Sequence, residues 1–334
     1  MAMALAFVSL FDFGEFAGWV SFFMLGLIPM QIVIVVLWEG RPAFARTLGQ
    51  PARGAALILL TVVASVVLSP LVLTVVGEGI SPPGPIPSHF AIAVVPTTFW
   101  LAIMLGGWPF TGLLKHPLAS GLAVLIAAYV VTWVVFRVVF NYAFLVGAPV
   151  YLASAPMGLH NAVMALVFYV TALAGMFLVL CFDLWPLTAF PAVMKQPVLG
   201  FVWTVVALAI GAVAMQVGVR HLGADPMWFL TRVTVPFIFG TIIVLNMLQN
   251  SLFAKMAQPL KGVMNTIAAT VIGVALALLY GALAPTVTGA LVSGPPGYDY
   301  EVWLANALLS VTFPLLIYHA ALLGYWPLAK PSQS

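Results

Sequence analysis

From Gly54 to Gly77 the chain carries no Asp, Glu, Lys or Arg. The same holds for Phe16–Trp38, Gly79–Leu114, Val138–Phe182, Gln196–Val219 and Gly262–Tyr298. Runs this long and this apolar leave few possible folds. Hydrocarbon cannot hydrogen-bond a free N–H or C=O, so a chain crossing it must be helical or belong to a closed barrel. Barrel strands alternate lipid-facing and lumen-facing side chains, whereas the apolar residues of these runs are continuous and do not alternate. The chain is therefore read as all-α. With 64% hydrophobic and 6% charged residues it could not cover a water-soluble globule with polar surface.

A bilayer-spanning helix needs about 20 residues, which divides the sequence into about nine transmembrane helices, near 16–38, 53–77, 89–107, 118–143, 161–184, 198–219, 227–249, 261–284 and 302–325. The apolar stretch 1–10 is read as a short interfacial helix, because it lacks a basic leader and is followed at once by Asp12 and Glu15.

The connections alternate in character. Those after the first, third, fifth and seventh segments resemble one another: a Trp-Pro pair (Trp108-Pro109, Trp185-Pro186, with Trp326-Pro327 at the last segment) leads to Gln-Pro-x-x-Gly (Gln50–Gly54, Gln196–Gly200, Gln258–Gly262). His116–Ser120 is a weaker copy. These elbows hold Arg41, Arg46, Arg53, Lys115, Lys195, Lys255 and Lys261, with Lys330 on the tail, while the other connections carry Glu78, Asp225, Asp299 and Glu301. Arg220 is the basic exception. Basic loops are retained in the cytoplasm, so the elbows are expected inside, the N-terminus outside and the C-terminus inside, in a cell inner (plasma) membrane. A two-helix unit returns the chain to its starting side. The expected architecture is thus one transmembrane domain over 1–334, built of four and a half parallel hairpin repeats: 16–77, 89–143, 161–219, 227–284 and the half repeat 302–327.

Within an elbow, Trp suits the membrane interface and the second Pro suits the first turn of the returning helix, where its missing N–H costs nothing. The Gly permits close helix approach. Aligning the elbows on their prolines places Glu39, Gly106, Asp183, Asn246 and Gly324 at one position, a polar entrance to a central cavity in which Glu39 or Asp183 could take a proton or attract a cation. The plainer expectation pairs Glu39 with Arg41 or Arg46, and Asp183 with Lys195. Asn246, Gln249 and Asn250 share a helical face and form the most polar patch of any span. Arg137 with Asn141, and Arg232, lie near the outer ends of their segments, either snorkelling outward or facing an anion-attracting vestibule. His319 lies deep in the last segment, as a proton relay or as a packed histidine bonded to a neighbour.

No phosphate-binding loop, dinucleotide fingerprint, hydrolase elbow or zinc-protease motif occurs, and the single cysteine, Cys181, excludes an intrachain disulfide and a Cys-based metal site. No pair of histidines has same-face spacing, so no cofactor, haem included, is expected. The leading expectation is a transporter or permease for a small solute, with proton or ion coupling as an option. The alternative is a membrane anchor or quinone-interacting subunit of a larger complex. An enzyme acting on lipid is disfavoured, because no His, Asp and Glu converge in the sequence. Expected partners are the lipid bilayer, the solute, and either further copies of the chain or other membrane subunits; the scattered charges offer nothing to nucleic acid.

Overall fold

The computed structural model describes residues 2–327; Lys330 lies outside them. Among the described residues nine helices are long and apolar enough to cross a membrane: α1 (Phe13–Leu37), α2 (Ala52–Val76), α3 (Pro85–Met104), α4 (Pro117–Val139), α5 (Ala162–Cys181), α6 (Val198–His221), α7 (Pro226–Met247), α8 (Leu260–Thr288) and α9 (Asp299–Leu322). α4 is shorter than expected because the chain leaves it to pair β1 (Phe140–Asn141) with β2 (His160–Asn161) in a two-stranded parallel ladder.

The nine helices sort by burial. In each odd-numbered helix half or more of the apolar window is buried, from 50% to 72%, against 22% to 33% in each even-numbered one. The odd helices form a closed inner ring, α1 against α3, α3 against α5, α5 against α7, α7 against α9 and α9 against α1. Every even helix lies outside, in the groove between its own partner and a second inner helix: α2 between α1 and α9, α4 between α3 and α1, α6 between α5 and α3, α8 between α7 and α5. Among the described residues no fifth outer helix occupies the remaining groove, between α7 and α9. Instead α8 reaches over α7 to α9, where the Tyr280 and Thr312 hydroxyls meet and the Tyr280 ring packs edge-on against Trp303. The N-terminal helix Ala2–Val8 buries Ala4 and Val8 and packs against Asn306–Thr312 of α9, so it belongs to the protein's packing.

Backbones approach closely where a side chain is missing. A Cβ on Gly240 of α7 would fall 1.8 Å from the Ala269 carbonyl oxygen, and one on Gly273 of α8 would fall 2.0 Å from that of Pro236. In lipid, helices gain most from such van der Waals contact between small residues. The α7–α8 hairpin is built on it.

Four of the five inner helices are irregular, α5 being regular throughout. Pro29, Pro96 and Pro314 interrupt α1, α3 and α9, and in each a widened π-helical stretch begins four residues later, at Val33, Trp100 and Tyr318. Proline removes a ladder N–H and crowds the preceding turn, which favours such a local change of pitch. α7 carries widened stretches at Leu230–Thr234 and Ile243–Met247.

All five inner helices then end in one backbone turn, a pair of left-handed residues: Glu39-Gly40, Gly106-Gly107, Asp183-Leu184, Gln249-Asn250 and Gly324-Tyr325. This corrects the proline-based alignment in α7. The residue equivalent to Glu39 and Asp183 is Gln249, and Asn246 lies a turn earlier on the helix. Gln249 and Asn250 have left the helix, so the shared helical face expected for them with Asn246 does not exist.

Candidate functional site

The recurring Gln of the elbow motif has a double task. The Gln50 side-chain oxygen accepts from the Gly54 N–H (3.1 Å), while its amide donates to the Leu322 carbonyl of α9 (2.7 Å). Gln196 likewise accepts from Gly200 N–H (3.3 Å) and donates to the Met104 carbonyl of α3 (2.8 Å). Each bond satisfies a group that a helix terminus leaves free: a first-turn N–H of the outer helix and a last-turn C=O of an inner one. The glycine keeps the seat open, since a Cβ on Gly200 would lie 2.4 Å from the Leu105 side chain. The His116 copy works differently, with the Trp38 indole donating to the Pro117 carbonyl (3.0 Å). Together with the Tyr325 hydroxyl, which donates to the Met247 carbonyl (2.9 Å), these bonds bring all the elbows to one end of the ring.

Gln258 departs from this pattern. It accepts from Gly262 N–H (3.0 Å) but donates to the Asp183 carboxylate (2.9 Å). The same carboxylate accepts from Lys261 (2.7 Å) and from the Asn250 amide (3.0 Å). Asn265, fully buried, donates to Asn250 (2.9 Å) and to the Cys181 carbonyl (3.1 Å). Partial burial pushes the Asp183 carboxyl up, but the bonds from Lys261, Gln258 and Asn250 and the lysine's charge outweigh it and hold the carboxyl below the usual carboxylate range. The expected partner, Lys195, is thus replaced by Lys261. Glu39 is exposed and forms no ion pair among the described residues, so its expected pairing with Arg41 or Arg46 is not made either.

Two cavities lie on the ring axis. At the elbow end a space of about 310 Å³ is lined from all five inner helices, by Gln31, Phe99, Phe177, Asn246 and Phe313 among others, with Asp183 and Asn250 at the elbow turns. A neighbouring space of about 370 Å³ shares Asn246 with it and adds Glu39, Arg41, Gln50, Arg53 and Gln249. At the opposite end all five inner helices again line a cavity, of about 340 Å³ and largely apolar. Its polar groups include Asn306, Ser310 and His89, whose ring bonds the Tyr142 hydroxyl (3.0 Å). Between the cavities Phe99 packs edge-on against Phe177 and Phe313, with centroids 5.3 and 6.3 Å apart.

Five of the sequence candidates therefore meet around the elbow-end opening: Glu39, Asp183, Asn246, Gln249 and Asn250. The other four lie elsewhere. Arg137 is exposed, stacks on Trp133 and donates to the Ser154 carbonyl (2.5 Å), and Asn141 braces the β1 loop through Gly158 and Ala143. Arg232 lies 3.6 Å from Glu301 and over the Tyr300 ring. His319 packs edge-on against Tyr325 with its centroid 5.6 Å away, and is half-buried.

Two residues escaped the sequence reading. Glu301, taken for a loop acid, is 1% exposed and also accepts from Ser293 and the Gly294 N–H. Gln31 is the lone amide or charge between Phe16 and Trp38, which was the available signal. It is fully buried, its amide donating weakly to the Pro314 carbonyl (3.4 Å) and its oxygen without a partner. An unsatisfied buried acceptor costs about 1–3 kcal/mol.

Among the described residues no three His, Cys, Asp or Glu side chains come together as a metal site would require. No protein-family model matches the chain, and no curated protein or solved structure is detectably similar to it.

Proposed function

We propose that this membrane protein is a transporter or permease that passes a small solute along the axis of its inner helix ring. The observation that carries the reading is that the same five helices line a cavity at each end, with Phe99, Phe177 and Phe313 packed across the axis between them. An apolar constriction between two vestibules is a known way to gate a path by excluding water. A purely structural anchor needs no such axis.

The recurring elbow turn and outer-helix seat support descent from duplicated parallel hairpins. The basic residues of the elbows support a cytoplasmic elbow face in the inner membrane. Asp183 is engaged by Lys261, Gln258 and Asn250, which favours uncoupled movement of a neutral solute over proton coupling through this carboxylate. The membrane-subunit alternative draws on an apolar crevice of about 240 Å³ between α3, α4, α5 and α6. There the Tyr169 hydroxyl and Trp100 indole are already bonded to Thr97 and Thr204, which leaves a quinone carbonyl poorly served.

The test is solute flux into liposomes holding the purified chain. Phe99→Ala opens the constriction and is expected to raise flux severalfold over wild type while circular dichroism stays unchanged. Flux equal to that of empty vesicles, in both proteins and for every solute tried, removes the axial path.

A further inference from the structure

We infer that Gln31 is the solute-selecting residue of the axial path, and that the solute it selects is small, neutral and bears an N–H or O–H donor. The inference rests on the axial path proposed above and names what that path would carry.

Gln31 lies eight residues before the left-handed turn that ends α1, about 12 Å in from the elbow end at the usual helical rise. It lines the elbow-end cavity at the level where Ile32, Phe99 and Ile317 close in. Its orientation follows from one long bond: the Pro314 carbonyl can only accept, so the NH₂ end of the amide faces α9 (3.4 Å) and the oxygen is left without a partner. Neighbouring polar groups at this depth satisfy themselves. Thr98 and Thr241 donate to the carbonyls of Val94 and Phe237, while Tyr318, whose hydroxyl bonds Thr61, lies beside the Gln31 amide without completing a bond to its oxygen. The Gln31 oxygen is the exception among the residues lining this cavity.

A buried acceptor left empty in a membrane protein is unfavourable unless another state fills it. In the arrangement described Phe99 packs against Phe177 and Phe313, and the Gln31 oxygen is buried. When Phe99 swings aside, the oxygen faces the path, and a passing N–H or O–H gives it the bond it lacks. Among the described residues that line this cavity the charged one is Asp183, at the elbow turn. An ion would cross without compensation, which excludes it in favour of a neutral solute.

The test uses the full chain in proteoliposomes and stopped-flow light scattering. The solutes are urea and glycerol, which carry donors, and trimethylamine N-oxide, which is polar but has none. In wild type and in Phe99→Ala, urea and glycerol are expected to pass at least tenfold faster than trimethylamine N-oxide. Gln31→Met, nearly the same volume without the acceptor, is expected to abolish that preference in the Phe99→Ala background. Conduction with no preference for donors in the unsubstituted Gln31 protein overturns the inference, and needs no Gln31 variant to fold. So does a preference that survives Gln31→Met. Absence of flux for all three solutes in both proteins falls instead on the axial path itself, and the inference falls with it.

Discussion

Asp183 shows how one side chain can be drawn from a path into a scaffold. Its carboxylate takes bonds from Asn250, Gln258 and Lys261, tying the end of α5 to the elbow and first turn of the α7–α8 hairpin. The side chain remains 43% exposed, so the ion pair contributes little, about 1 kcal/mol or less. Asp183→Asn is therefore expected to lower the unfolding temperature slightly and leave flux intact; flux lost with the fold preserved would return Asp183 to a proton path. Because the folded carboxyl titrates below its usual range, its contribution is present above the unfolded value, near 4, and is lost as pH falls through the folded one. Wild type should thus lose its small advantage over Asp183→Asn only below about pH 4, a comparison thermal melts can make. From the sequence, the presence of an acid at this turn was legible. Its partner was not, because Lys195 and Lys261 are equally plausible until the packing of α8 against α5 is known.

At the scale of the element, the Gln-Pro-x-x-Gly motif is a joint between helices. Its proline opens the outer helix, its glutamine satisfies two helix ends at once, and its glycine admits the neighbouring inner helix. Gln196→Ala removes both bonds and leaves the Met104 carbonyl to find another donor. It should cost about 1–3 kcal/mol, read as a lower midpoint of unfolding in detergent, and Gln196→Glu should recover only the half of the joint that accepts from Gly200. An unchanged midpoint in Gln196→Ala would reduce the motif to its proline and glycine. The motif was visible in the sequence because three copies kept it. The turn before it was less so: α7 lacks the Trp-Pro pair, so alignment on prolines slipped to Asn246, while Gln249 and Asn250 take the left-handed pair. The proline ten residues before the turn in α1, α3 and α9 was a second ruler, unused, although α5 and α7 lack it.

For the whole molecule, the number and rough bounds of the helices followed from uninterrupted apolar runs, since hydrocarbon leaves a chain no other regular choice. Their division into an inner and an outer ring did not. Both kinds of helix are apolar all round, so lipid-facing and protein-facing sides carry no contrast to read, and the difference lies in small residues and irregular turns. Elbow orientation is open to direct measurement: in a Cys181→Ser background, an impermeant thiol reagent applied outside cells should label Ser81→Cys and spare Ser251→Cys. The reverse labelling would turn the protein over in its membrane. The most direct test of a path along the ring axis uses one cysteine in each vestibule, Asn246→Cys at the elbow end and Asn306→Cys at the other, in Cys181→Ser protein carrying Phe99→Ala and oriented in liposomes. A charged thiol reagent on the elbow side should block solute flux through the first variant only, and on the opposite side through the second only. Flux that continues unchanged after both cysteines are fully modified would contradict an axial path.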